Sequence, residues 1–170
     1  MSHLEHQQHA QQAVPSIRCA VLTISDTRTA ENDTGGMTMR QLLEAAGHQI
    51  VHYEIVKDEP SQIVAVVHAC AASSCQVLLS SGGTGIAKRD STFEAIDALL
   101  EKRLPGFGEL FRMLSYDDIG AAAMLSRATA GSLGNMLIFC MPGSPNAVRL
   151  AMEKLIVPQI PHLVWETMRG

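Results

Sequence analysis

Gly82, Gly83 and Gly85 fall within four positions of the stretch SSGGTGIAKRD (80–90). The apolar run Val77-Leu78-Leu79 precedes them, and Lys88, Arg89 and Asp90 follow. Glycine loses more conformational freedom on folding than any other residue, so such a cluster needs a cause. A tight turn with positive φ is one cause. A ligand that must approach the backbone is the other, because amides of a strand-to-helix loop converge on anions. The glycine count alone does not separate these readings. Carboxylates on neighbouring loops add to the second. Asp26 and Asp33 lie in one polar stretch, Asp58 in another, and Asp90 ends the glycine segment itself. Each taken singly is explained as well by a helix cap or by the helix dipole. Together they suit Mg²⁺, which is held by one or two carboxylates plus substrate phosphates. Gly143, Ser144 and Asn146 form a further small, polar loop after an apolar run.

The elements that must carry these loops are legible from periodicity. Residues 17–25 (IRCAVLTIS), 49–56 and 77–80 read as strands, the first and third apolar throughout, as in parallel sheets covered on both faces. Met39, Leu42, Leu43 and Ala46 repeat at helical spacing, with Gly47 as the stop. Pro60 suits the first turn of a helix carrying Ile63, Val66, Val67 and Cys70. Ser91-Thr92-Phe93-Glu94 has the form of a capping box, predicting a helix over 92–100. The first hundred residues thus alternate β-α-β-α-β-α, the pattern of an α/β fold with a mostly parallel sheet. The second half predicts short helices over 107–115 and 119–125. A hairpin is expected from 127–130 and 136–141 around a turn at 131–135, and a last helix has Ser144 as N-cap and Pro145 at its first position. In such sheets ligands sit beyond the carboxyl ends of the strands. Four loops leave in that direction: 25–36, 57–60, 81–90 and 142–146.

Other classes are set aside by composition. The 170 residues suffice for one domain, 16–170, behind a His- and Gln-rich stretch, 1–15, expected as a flexible tail. The net charge of −4 argues against nucleic-acid binding. No apolar run is long enough for a membrane span. The four cysteines lack metal-site or disulfide-framework spacing, which points to buried thiols and a cytoplasmic location. There is no Walker sequence, no dinucleotide fingerprint after the first strand, and no His in the four loops for a nucleophilic triad.

The segments LTISDTR (22–28), DTGG (33–36), IVKD (55–58), SSGGTGIAKRDSTFEAI (80–96), PGFGELFRMLS (105–115), LSRATAG (125–131) and MPGSPNAV (141–148) occur in order over nearly all of the chain after residue 15. This set resembles the MoaB/MogA family of molybdenum cofactor biosynthesis proteins, and FGELFRMLSYDDIG resembles its MoaB branch in particular. The resemblance implies a three-layer α/β/α sandwich assembled as a homotrimer or hexamer. It implies molybdopterin as substrate, a pterin dithiolene with a terminal phosphate. In active members ATP is co-substrate, Mg²⁺ the cofactor, and the terminal phosphate is adenylylated; other cofactor-pathway proteins are the expected partners. Carried onto this sequence, Gly82, Gly83, Thr84 and Gly85 cradle phosphate. Asp58 and Asp90 are the catalytic, Mg²⁺-handling carboxylates. Asp26, Ser115, Pro142, Gly143, Ser144 and Asn146 line the same pocket. Phe93 stands where active relatives commonly have Pro, and Ser144 where several have Asn. Catalytically silent members of the branch tend to lose the Arg-Asp or IVKD carboxylates, and this chain keeps both. The alternatives are a non-catalytic pterin-binding or scaffold member and a CinA-like nucleotide pyrophosphatase.

Overall fold

The computed structural model describes residues 2–169. Six strands form one sheet: β1 (Arg18–Ile24), β2 (Gln49–Val56), β3 (Val77–Ser81), β4 (Lys102–Arg103), β5 (Thr129–Leu133) and β6 (Met136–Met141), in the order β2-β1-β3-β6-β5-β4. β2, β1, β3 and β6 run parallel, and β5 and β4 are antiparallel to their neighbours. The runs that read as continuously apolar alternate between two cores. Cys19 and Val21 of β1, Val77 and Leu79 of β3, and Leu137, Phe139 and Met141 of β6 enter one. Ala20, Leu22, Ile24, Leu78, Met136, Ile138 and Cys140 enter the other. Strand side chains alternate, so strands covered on both faces read as apolar runs, broken here by the buried Thr23, Ser80 and Ser81.

Helices close both faces, giving the expected α/β/α layering. Helices α2 (Thr34–Ala45), α5 (Pro105–Ile119), α6 (Pro145–Ala151) and α7 (Val157–Met168) supply Met39, Leu43, Phe107, Phe111, Val148, Ile160 and Val164 to the first core. Helices α3 (Pro60–Ala71) and α4 (Thr92–Asp97) supply Ile63, Val67 and Ile96 to the second. The chain passes from β2 back across β1 to β3, and with right-handed crossovers this reversal puts α2 and α3 on opposite faces. The carboxyl ends of β1 and β3 therefore form the switch point at which such sheets bind ligands.

Several boundaries differ from expectation. Residues 3–13, expected as part of a flexible tail, form a further helix, α1 (His3–Ala13). Ser2 and Glu5 complete a capping box there, Ala10 is fully buried, and the His6 ring meets Trp165 of α7 at 5.9 Å between centroids. A single buried alanine on an otherwise exposed or half-exposed, largely polar helix gives almost no periodic signal, and only the S-x-x-E cap marks it. The two helices expected over 107–125 are one helix, α5, and a 3₁₀ segment, Gly120–Leu125, joined where Gly120 adopts φ 63°. β5 runs on to Leu133, so the hairpin turn is only Gly134-Asn135, with Gly134 at φ 57°. The two-residue β4 lacks any alternation that could announce it. Between α6 and α7 the helix widens into a π turn, Met152–Ile156, just ahead of Pro158.

Asp33 shows how the first loop is tied down. It is the N-cap of α2, accepting from the Gly36 N–H at 3.0 Å. It also accepts from the hydroxyls of Thr23 at 2.7 Å and Tyr53 at 2.6 Å, and it is 2% exposed. This carboxylate joins β1, β2 and α2 and is not presented to a ligand. Replacing Asp33 with Ala removes the cap and leaves two hydroxyls without their acceptor. The expected loss in urea unfolding is roughly 2–4 kcal/mol.

Candidate functional site

The glycine loop begins where three parallel strands end. Gly82 has φ 97°, its N–H donates to the Met141 carbonyl at 3.1 Å, and a Cβ there would collide with the Ile24 carbonyl oxygen. Gly143, just beyond β6, is less crowded but still tight: a Cβ on it would lie 3.0 Å from the Gly82 Cα. Gly82 needs glycine on both counts, and a side chain at Gly143 would press on the Gly82 backbone. The ends of β1, β3 and β6 are thereby drawn together around a small cleft of about 120 Å³, lined by Ser25, Arg28, Ser81, Gly82 and Gly143 among others.

Next along the loop, Gly83 has φ 65°, and its Cβ direction is filled by the Thr92 hydroxyl and by Asp58 Oδ2, 2.5 Å from where that atom would be. A Cβ on Gly85 would likewise stand 2.5 Å from Asp90 Oδ2. Each of the two carboxylates that the family resemblance assigns to Mg²⁺ therefore lies against one glycine of the loop. Asp58 is 6% exposed, and its Oδ1 accepts from the Ser91 hydroxyl at 2.6 Å and the Ser91 N–H at 3.2 Å. The capping box expected at Ser91 and Glu94 does not form. Ser91 is engaged by Asp58, and Glu94 is drawn away to pair with Arg127. The start of α4 is thus capped from another loop, which no local pattern can reveal.

The loop's amides remain available. Among the described residues, the N–H groups of Gly83, Thr84, Gly85 and Ile86 meet no protein acceptor, whereas the Ala87 N–H donates to Asp90 Oδ2 at 3.2 Å. A row of unpaired N–H groups beside two carboxylates can hold phosphate oxygens and their metal counter-ion. Among the described residues, no group of three or more His, Cys, Asp or Glu side chains is placed to hold a metal.

Asp26 does other work. Arg89 grips both its oxygens, Nε to Oδ2 at 3.0 Å and Nη2 to Oδ1 at 3.1 Å, and reaches Glu59 at 2.7 Å through Nη1. Asp26 Oδ1 also accepts the Asp58 N–H at 3.2 Å. These contacts hold its carboxyl below the usual range, the Arg89 hydrogen bonds contributing most and the Asp58 N–H next. Asp26 therefore fastens the glycine loop and the Asp58 loop to the end of β1.

The remaining predicted residues occupy a second cleft of about 440 Å³. Ser115, Pro142, Ser144 and Asn146 line it together with Asp118, Ile119 and Ser126. Ser115 turns its hydroxyl to the Phe111 carbonyl at 2.7 Å, and Ser144 is the N-cap of α6, accepting from the Ala147 N–H at 3.2 Å. Gly143 connects the two regions, since its neighbours line this cleft while it packs on Gly82. Sequence reasoning did not single out Asp118 or Arg127. Arg127 Nε donates to the Thr84 carbonyl at 2.9 Å and Nη2 to the Gly85 carbonyl at 2.6 Å. Its only sequence signal was its place in LSRATAG, far from the loop it grips.

Known proteins resemble this chain in sequence and fold. Residues 20–162 match the family model described as a probable molybdopterin binding domain. The molybdenum cofactor biosynthesis protein B of Bacillus cereus is 52% identical over 164 residues, covering 95% of this chain and 97% of that protein. A crystal structure of a molybdenum cofactor biosynthesis protein B superposes with a TM-score of 0.89 at 52% identity, covering 91% of this chain and 98% of the other. The tungsten cofactor synthesizing protein MoaB from Pyrococcus furiosus superposes with a TM-score of 0.81 at 33% identity, over 89% and 97% of the two chains. With the sheet order, the glycine loop and the flanking clefts already in place, these similarities identify the chain as a member of the MoaB family of molybdenum cofactor biosynthesis proteins.

Proposed function

We propose that the protein binds molybdopterin beyond the carboxyl ends of β1, β3 and β6 and adenylylates its terminal phosphate with MgATP. The observation that carries this reading is the row of unpaired amides from Gly83 to Ile86 between Asp58 and Asp90. Phosphate oxygens held by these N–H groups would be fixed without side-chain entropy cost. An oxygen of the pterin phosphate attacks the α-phosphorus of ATP. A new P–O–P link forms, the bond to the β-phosphate breaks, and pyrophosphate leaves with the electron pair. The carboxylates suit the metal that this chemistry uses. Asp90 Oδ1 accepts from no protein donor among the described residues, and Asp58 Oδ2 has only a 3.4 Å contact with the Ser91 N–H. Mg²⁺ on these oxygens would neutralise charge on the transferring phosphoryl group. The 440 Å³ cleft along α5 and α6 offers room for the pterin. Cofactor-pathway proteins in the cytoplasm are the partners and location that accompany this reading.

One observation favours a second reading, pterin binding without catalysis. Asp58 Oδ1 is already committed to Ser91, so Asp58 can be explained as the remote cap of α4. Incubation with molybdopterin and MgATP separates the two. Mass analysis should find a pterin heavier by one adenylyl group; unmodified pterin bound to the protein would favour the second reading. Asp90 then gives the sharper test, because its removal disturbs little packing. Asp90→Asn should melt near the wild type and lose roughly 10²–10⁴-fold in turnover. Wild-type turnover at saturating Mg²⁺ would remove Asp90 from the reaction.

Assembly belongs to the same proposal. Of the apolar residues of 107–125, Phe107 and Phe111 fill the core. Leu110, Met113, Tyr116, Ile119, Met124 and Leu125 are exposed, Met124 to 80%. Apolar surface of this extent on a small domain marks an interface, and closed homo-oligomers are the usual solution. A homotrimer, or a hexamer built from trimers, should appear in light scattering at micromolar concentration. Met113→Glu should lower the mass towards that of one chain, and an unchanged mass would place the interface elsewhere.

A further inference from the structure

The geometry points to Arg127 as the positioning residue of the phosphate-binding loop, acting through the peptide groups it holds, with Phe93 and Glu94 as its supports. The inference rests on the loop being a phosphate site.

Arg127 stands at the entry to β5, and its side chain is 25% exposed. It spends two donors on adjacent carbonyls of the loop, Thr84 and Gly85. All peptide bonds here are trans, so each carbonyl points opposite to the N–H of the same peptide. The peptide with the Thr84 carbonyl carries the Gly85 N–H. The one with the Gly85 carbonyl carries the Ile86 N–H. Gripping both oxygens from one side therefore turns both N–H groups to the other, and these are two of the four amides without an acceptor. Hydrogen bonds from a cation also polarise the two peptides, strengthening the donors they present.

The grip is itself supported. The guanidinium lies over the Phe93 ring, 4.8 Å from its centroid, and Nη1 is paired with Glu94 Oε1. This explains why Glu94 abandons the capping role its spacing suggested. A planar fork is needed here. It must reach two successive carbonyls and a carboxylate at once while stacking on a ring, which a compact ammonium cannot do. The hydrogen bonds from Arg127 to the loop end on peptide carbonyls, so its contribution passes through the loop backbone.

The test uses the intact protein, inorganic pyrophosphate as the probe and amide resonances as the readout. In the wild type, pyrophosphate should shift the amide signals of Gly83 to Ile86. Arg127→Gln and Arg127→Lys should both move the Gly85 and Ile86 signals of the free protein and weaken pyrophosphate binding roughly tenfold to a hundredfold, with melting close to wild type. Phe93→Leu should weaken it less, in the same direction. MgATP and molybdopterin, titrated separately, tell which phosphate the loop takes. If Arg127→Lys binds like the wild type, charge alone suffices and the positioning role is overturned. Should Arg127→Gln fail to fold, the Lys and Phe93→Leu variants carry the decision. A wild type whose amides do not respond to any of the three probes would sink the phosphate reading itself. Responsive wild-type amides with unchanged affinity in the variants would reject the role of Arg127 alone.

Discussion

Backbone contact between Gly82 and the Ile24 carbonyl, with Gly143 packed on Gly82, sets the geometry on which the site depends. No side chain fits between these three strand ends, so β1, β3 and β6 close on one another and their loops leave from a common point. That point is the switch in strand order, where the sheet itself leaves a crevice. The loops then brace one another with polar contacts. Arg89 holds Asp26, Asp26 holds the Asp58 backbone, Asp58 holds Ser91, and Arg127 holds Thr84 and Gly85. The outer pairs among these are well exposed and contribute little to global stability; their effect is to fix loop against loop.

The division of labour among the carboxylates follows from burial and partners. Asp33 is enclosed by three donors and serves the fold. Asp26 is neutralised by Arg89 and serves the loops. Asp58 stands between, half committed to Ser91 and half facing the loop glycine. Asp90 is the least encumbered, with one oxygen on the Ala87 N–H. A single residue type thus ranges from enclosed cap to nearly free carboxylate within one rim, and only the donors around each oxygen separate them.

Much of the fold was legible because parallel strands buried on both faces write themselves as unbroken apolar runs. β2 was placed at its observed limits, and Gly47, at φ 86°, ends α2 as its position suggested. Elements defined by contacts rather than by pattern were not legible. α1 depends on one buried alanine, and β4 on two exposed residues pairing with β5. At the site, residue types identified the loops but not their internal wiring. The glycines expected to form a phosphate cradle are each hemmed in by protein contacts, with Ile24, Asp58 and Asp90. The four amides, however, are left free, as a cradle needs. Arg127 escaped notice because its partner Thr84 lies 43 residues earlier, and no local spacing encodes such a pairing.

The central claim is the location of the phosphates, and a crystal structure with molybdopterin and a non-hydrolysable MgATP analogue tests it most directly. Phosphate oxygens should accept from the amides of Gly83 to Ile86, with the metal on Asp58 and Asp90 and the pterin along Ser115 and Asn146. Phosphates bound away from these amides, with the glycine loop in contact only with protein, would contradict it.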